Sequence, residues 1–329
     1  MSRAASLFLG CVAISGACFA AVPSESVVQG FYEGVCRSDQ GEKEFEARVV
    51  ASGPGTYLVF VRQPLGDGKV AKFELDGKRE GDAVRFVGKG ESAAWAASYA
   101  DGAIKGTCGP GTTLEMKGAV LRSPTFDAKP PQGAIVLLDG KNFDELVKGR
   151  LRDGAEQPWK LAEDGAIEVP KGGMTSKRQF DGSYKLHVEF KLPLMPDARG
   201  QGRANSGVFL TNSDEIQVLD SFGMTTYKGG GCGGIYPYKD PDAFDQFSLA
   251  SFPPLVWQTF DVEYRVPKKD GKPVGNPRVT VFHNGIKIHD NFEIRGAVIP
   301  YSPKGKFHFQ DHGNPVRYRN IWVLPLADR

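Results

Sequence analysis

Alternation with a period of two runs through most of this chain. Between 184 and 192, the apolar Tyr184, Leu186, Val188 and Phe190 interleave with Lys185, His187, Glu189 and Lys191. That is the pattern of a strand with one face on a core. In the N-terminal third, strands are predicted at 44–50, 56–62, 69–75 and 83–87. Gly-Pro-Gly at 53–55, Gly-Asp-Gly at 66–68 and Asp-Gly at 76–77 read as the turns between them. Farther along, strands are expected at 134–138, 159–161, 166–169, 206–211, 215–219, 258–266, 278–282, 305–310 and 316–325, with one short helical turn at 142–147. Asn284-Gly285 marks a hairpin directly after one of these strands.

The pattern breaks at 123–133, where Pro124, Pro130 and Pro131 sit among small polar residues. Such a stretch is an extended, semi-stiff connector. The expected organisation is therefore all-β: a small β accessory domain at 23–123, a Pro-rich linker at 124–132, and a second domain at 133–329. Many strands and few helices make that second domain a two-sheet sandwich or jelly roll.

Composition narrows the picture. Among 329 residues, 41 Gly and 22 Pro suit strands and turns. Lys and Arg (41) nearly balance Asp and Glu (39), so no basic surplus points to nucleic acid. Past the N-terminus, no stretch approaches the roughly 20 apolar residues of a transmembrane span.

Residues 1–20 read as a signal peptide. Arg3 supplies the positive start, 7–19 the apolar stretch, and Cys18-Phe19-Ala20 the cleavage site. Acylation at Cys18 is the rival reading, opposed by Ser15 where an aliphatic residue is wanted. The expectation is an exported protein, periplasmic or secreted. Cleavage leaves Cys36, Cys108 and Cys232; the first two share the N-terminal domain and are expected to pair, leaving Cys232 free.

Period-two geometry also sorts candidate chemistry. With Ile216 and Val218 on the core, Glu215 and Gln217 face outward and Asp220 sits at the strand end. With Phe307 and Phe309 on the core, His308, Gln310 and His312 face outward; from the strand at 184, His187 and Glu189 do. Carboxylates, amides and imidazoles on one open face would suit a polyhydroxylated ligand and proton transfer on it. Most such residues on a half-exposed sheet are merely solvated, and His187 and His283 look least functional. No metal-ligand or phosphate-binding motif occurs.

Several successions are more specific. They are Val136-Leu137-Leu138-Asp139-Gly140-Lys141, Trp159 ahead of Gly165, the run at 172–177, and Asn205-Ser206-Gly207-Val208-Phe209. Glu215 to Ser221 and Gln310-Asp311-His312-Gly313 with Arg319-Asn320-Ile321 complete the set. Over about 133–326, in this order, they resemble the 3-keto-disaccharide hydrolase family. The resemblance implies a concanavalin-like jelly roll, export from bacteria, a saccharide substrate, and cleavage of glycosides already oxidised at C3. Asp214 departs from the family pattern, in which an aromatic residue is common, and is expected to alter the wall of the site.

A C3 ketone acidifies the C2 proton and places the C1 oxygen β to the carbonyl. Base-catalysed elimination of the aglycone, followed by hydration, then breaks the glycosidic bond. The site needs a base, a stabiliser for the enolate oxygen and an acid for the leaving group. On the resemblance, Glu215 and His312 are the proton-transfer candidates, with Asp220 orienting or assisting. Asn205, Gln217, Gln310 and Lys177 are expected to hold hydroxyls or the C3 carbonyl. Glu189 is the reserve carboxylate, and Trp159 a ring for sugar stacking. A divalent cation remains compatible with these ligand types. Two rivals stand beside this reading: a non-catalytic carbohydrate-binding module on the same fold, and an ordinary glycoside hydrolase.

Overall fold

A computed structural model describes residues 23–149, 158–294 and 304–327. The segment read as a signal peptide lies outside these residues. Every strand pairing among them is antiparallel, and the N-terminal strands close on themselves. The strands are β1 (Gly30–Ser38), β2 (Gly41–Gly53), β3 (Thr56–Gly66), β4 (Lys69–Glu80), β5 (Ala83–Lys89), β6 (Trp95–Ala100), β7 (Ala103–Cys108) and β8 (Thr113–Ala119). β1 pairs with both β2 and β8, so the small β domain is a closed eight-stranded barrel whose one buried face is its interior. Closure removes both sheet edges. Phe45, Val49, Phe86 and Trp95 fill the interior, and Cys36 and Cys108 are joined as a disulfide.

Asp76-Gly77 is not a turn. Both residues lie inside β4, paired with Val87 and Phe86. The Phe86 ring and Tyr57 Cβ occupy the space that a Cβ at Gly77 would take, so this glycine serves packing. The turns at Gly53–Gly55 and Gly66–Gly68 stand as read.

The second domain is a sandwich of two sheets. The six-stranded sheet runs, in spatial order, Leu146–Lys148, Met174–Ser176, His308–Phe309, Ser206–Phe209, Glu215–Val218 and Ile235–Tyr236. The eight-stranded sheet contains Ile135–Leu138, Lys160–Leu161, Ile167–Glu168, Arg317–Pro325, Tyr184–Lys191, Trp257–Arg265, Arg278–His283 and Ile286–Glu293. Val188, Phe190, Val208, Ile216, Phe260 and Phe309 are fully buried between the sheets. The helical turn expected at 142–147 is instead a tight turn, closed by Leu146 N donating to the Phe143 carbonyl (2.9 Å) and by the Asn142 side chain accepting from Asp144 N (3.0 Å). Asn284 (φ 51°) and Gly285 (φ 82°) form the hairpin turn expected of them.

The proline-containing segment is packed. Ser123 and Thr125 bond Thr259, Thr125 also bonds Asp261, and Asp127 N donates to Glu189, all on the outer face of the eight-stranded sheet. The barrel docks against the sandwich through Phe31, Val50 and Phe60, which pack on Phe222.

Candidate active site

Register across the six-stranded sheet decides which side chains meet. Thr175 pairs with His308, His308 with Phe209, Phe209 with Glu215, and Glu215 with Tyr236. Aligned residues on neighbouring strands share a face, so these five form one row on the outer face of the sheet. In the adjacent row, Gln217 stands opposite Gly207.

Glu215 is 7% exposed, and its carboxyl lies across Gly207, where a Cβ would collide with Oε1. Burial pushes its pKa up to about 7. One end of the Gln217 amide lies 3.0 Å from Glu215 Oε1 and 3.3 Å from the Ser206 carbonyl. The other end lies 2.7 Å from Gln201 Oε1. A protonated Glu215 donates to the Gln217 oxygen; an ionised one accepts from the nitrogen once that amide turns. Asn205 Nδ2 donates to Gln201 Oε1 (3.0 Å) and to its carbonyl (2.8 Å), which ties the three amides into one cluster.

His308 lies over Gly173, where a Cβ would meet its ring. Its Nδ1 is 2.9 Å from Thr175 Oγ1, and its ring meets Phe209 edge-on at 5.5 Å. Burial lowers its pKa, so the ring is neutral. Nε2 has no protein partner among the described residues. Beyond Glu215, the Tyr227 hydroxyl donates to that of Tyr236 (3.1 Å), forming an aromatic rim. Gln310 Oε1 is buried without a partner, an acceptor left for something not supplied by the protein.

The other candidates go elsewhere. His312 lies past the end of its strand, exposed in a loop. Lys177 is exposed at the end of Met174–Ser176, its backbone held by the Glu145 carbonyl. Trp159 stacks on Phe143 (4.7 Å) with Lys148 Nζ 5.7 Å from its ring. Asp220 is buried against Arg203 (Nε to Oδ2 2.7 Å); burial raises its pKa and the guanidinium opposes that rise. Asp214 is buried and bonded to Tyr238 (3.0 Å) and Asn212.

Glu189 is the clearest displacement. It belongs to the eight-stranded sheet, fully buried, and accepts from Arg319, Asn320 and Asp127 N. His187 beside it is also fully buried and bonds Asp261 (2.6 Å). Alternation correctly turned both outward from the core, but the 123–128 segment covers that face. Cys232 is buried, its thiol pushed up to about 12 by burial.

His308, outward by alternation but without an expected role, joins the site, as do Gln201 and Tyr236, which the sequence does not mark. His308 carried a usable signal, since it is in phase with Phe309 on the core. Gln201 and Tyr236 carried none, because only the fold brings them to Glu215. Among the described residues, no three His, Cys, Asp or Glu side chains gather closely enough to hold a metal ion.

A search of curated proteins finds no match. A solved structure from Parabacteroides distasonis ATCC 8503, provisionally assigned as a glycosyl hydrolase, is 30% identical, over 60% of this chain and 85% of its own, with a TM-score of 0.48. Residues 133–324, the sandwich that carries Glu215 and its amide cluster, match the model of the 3-keto-alpha-glucoside-1,2-lyase-like domain, and the chain belongs to that family.

Proposed function

We propose that this carbohydrate-active protein cleaves the glycosidic bond of 3-keto-glycosides by elimination across C1 and C2. The observation that carries the reading is Glu215, a desolvated carboxyl with its pKa pushed up to about 7, set among neutral amides on the outer face of the six-stranded sheet. A base that removes a C2 proton works best with its pKa near the operating pH. Glu215 takes that proton and the C2–H electrons form the enolate, its charge on the C3 oxygen. The Gln310 amide, which bonds no other described side chain, is the donor for that oxygen, while Gln217, Asn205 and Gln201 hold Glu215 in place. The enolate then expels the C1 oxygen and forms the C1–C2 double bond. Protonated Glu215 gives that proton to the departing C1 oxygen, and the neutral His308 Nε2–H is our candidate to donate a hydrogen bond to it. Water adds at C1 and a proton returns to C2, so the net change is hydrolysis.

An ordinary glycosidase requires a second carboxylate facing the first across the sugar. Among the described residues, three carboxyls of the sandwich are committed elsewhere: Glu189 to Arg319 on the opposite sheet, Asp220 to Arg203, and Asp214 to Tyr238. We also propose an exported protein, a reading supported by the Cys36–Cys108 disulfide.

Matched glucosides with and without a C3 ketone test the function. Aglycone release from the keto substrate alone, with transient ultraviolet absorbance from the enone, is expected. Release from the unoxidised glucoside at an equal rate overturns the proposal. Saccharide binding with no release from either substrate favours a lectin-like module instead.

A further inference from the structure

Beside the loop that carries Asp311 and Asn314, two cavities of about 180 and about 470 Å³ share Glu168 and Pro315 and so form one groove. Together they fall within the size of small-ligand clefts, roughly 300–1,000 Å³. One end is walled by the site's own loops. Asp311 lines it and accepts from Gly172 N (2.9 Å); Asn314 lines it and accepts from Asn205 N (2.7 Å). The other end reaches Ser26, in the segment that enters the barrel.

The charges along the groove are unequally satisfied. Glu168 is paired with Lys160 (2.7 Å), and Asp311 accepts from both Gly172 N and Gly313 N. Lys191 is held by Asp164 (3.0 Å). Lys171 and Arg317 have no carboxylate partner among the described residues, although both line the groove. Arg317 stands between Glu168 and Lys191 in the row across the eight-stranded sheet. The acids are spoken for and two cations are not. Pro193, Leu194 and Leu255 add apolar wall beside Arg317, suited to the C–H face of a sugar ring.

We propose that this groove binds an anionic saccharide unit, its acidic group held by Arg317, with Lys171 adding positive charge in the adjoining cavity. A guanidinium fork matches a carboxylate in bidentate fashion. Continuity with the Asn205 and Gly172 loops makes the unit an extension of the sugar that the site accepts, and this last step rests on the function proposed above. The acid is a uronate carboxylate or a sulfate ester, two sources of the same chemistry.

Calorimetry on the full chain tests the groove without requiring turnover. The probes are unoxidised disaccharides ending in glucose, in glucuronate or in sulfated glucose. At least tenfold tighter binding of an acidic probe over the neutral one is expected, with that preference weakened by salt. The tighter of the two acidic probes identifies the source. Arg317→Gln and, on the exposed side, Lys171→Gln should each reduce the preference while cleavage of a neutral keto-disaccharide stays unchanged. Equal binding of acidic and neutral probes overturns the proposal, as does a preference that survives both substitutions together. Failure of keto-glycoside cleavage, with acidic binding intact, counts against the function alone.

Discussion

The carboxyl of Glu215 rests on the bare backbone of Gly207, one strand away. No other residue leaves room there, because a Cβ would occupy the position of Oε1. The same device recurs where His308 lies over Gly173. Gly207→Ala should therefore fold, with its backbone in an ordinary strand, but displace the carboxyl. Misplacing a catalytic group by about 1 Å costs on the order of 100-fold. Turnover of a keto-glucoside beside a thermal melt would check this, and an unimpaired rate would remove Glu215 from its role.

Glu215→Gln should abolish proton abstraction, lowering turnover at least about 100-fold. It should also stabilise the fold. The carboxyl's pKa is raised in the folded state, so its contribution is fully present below its ordinary value of 4.5 and is lost as pH rises through about 7. At pH 8 the ionised group is a burden of about 3 kcal/mol at most, from 1.36 kcal/mol per pKa unit. Denaturant melts should show the variant gaining stability over wild type at pH 8 and little at pH 4. Wild-type turnover should climb through pH 7 as the base ionises.

The two neighbouring histidines should separate cleanly. His308 shares the row of Glu215, whereas His312 stands exposed past the strand end. His308→Ala is expected to lower turnover about 100-fold, a usual loss for a group that donates a hydrogen bond to developing charge. His312→Ala should leave it within about twofold. Steady-state rates on one keto-glucoside decide between them, and the opposite ranking would reinstate His312.

Arg203 links the barrel to the site. It pairs with Asp220, donates to the Ala51 carbonyl in β2 (3.1 Å), and lies two residues from Gln201. Arg203→Ala would leave Asp220 buried and uncompensated, a loss of about 3–5 kcal/mol. Asp220→Asn keeps an acceptor and should cost less. Urea denaturation of both variants would show this ordering or refute it.

Removing the disulfide with Cys36→Ser and Cys108→Ser should destabilise the barrel by about 2–4 kcal/mol, since the crosslink closes a 72-residue separation. Cleavage below the new melting temperature should persist, because no residue of the Glu215 row lies in the barrel. Calorimetry and an activity assay at low temperature would check both halves.

Local chemistry was sufficient for much of this molecule. Alternation located the long strands and turned Glu215, Gln217, His308 and Gln310 away from the core, because side-chain phase along a strand is a property of the strand alone. Asn284-Gly285 specified its hairpin through the positive φ that both residues tolerate. Phase, however, does not say which sheet a strand joins. That is why Glu189 and His187, outward by the same rule, lie on the opposite sheet beneath the 123–128 segment. Barrel closure between β1 and β8, the burial of Asp76-Gly77 within β4, and the commitment of Asp220 to Arg203 likewise depend on contacts between distant segments. The pKa of Glu215 is of the same kind. Its value comes from water excluded by Gly207, Gln217 and their neighbours, and desolvation exists only once the chain has packed around the carboxyl.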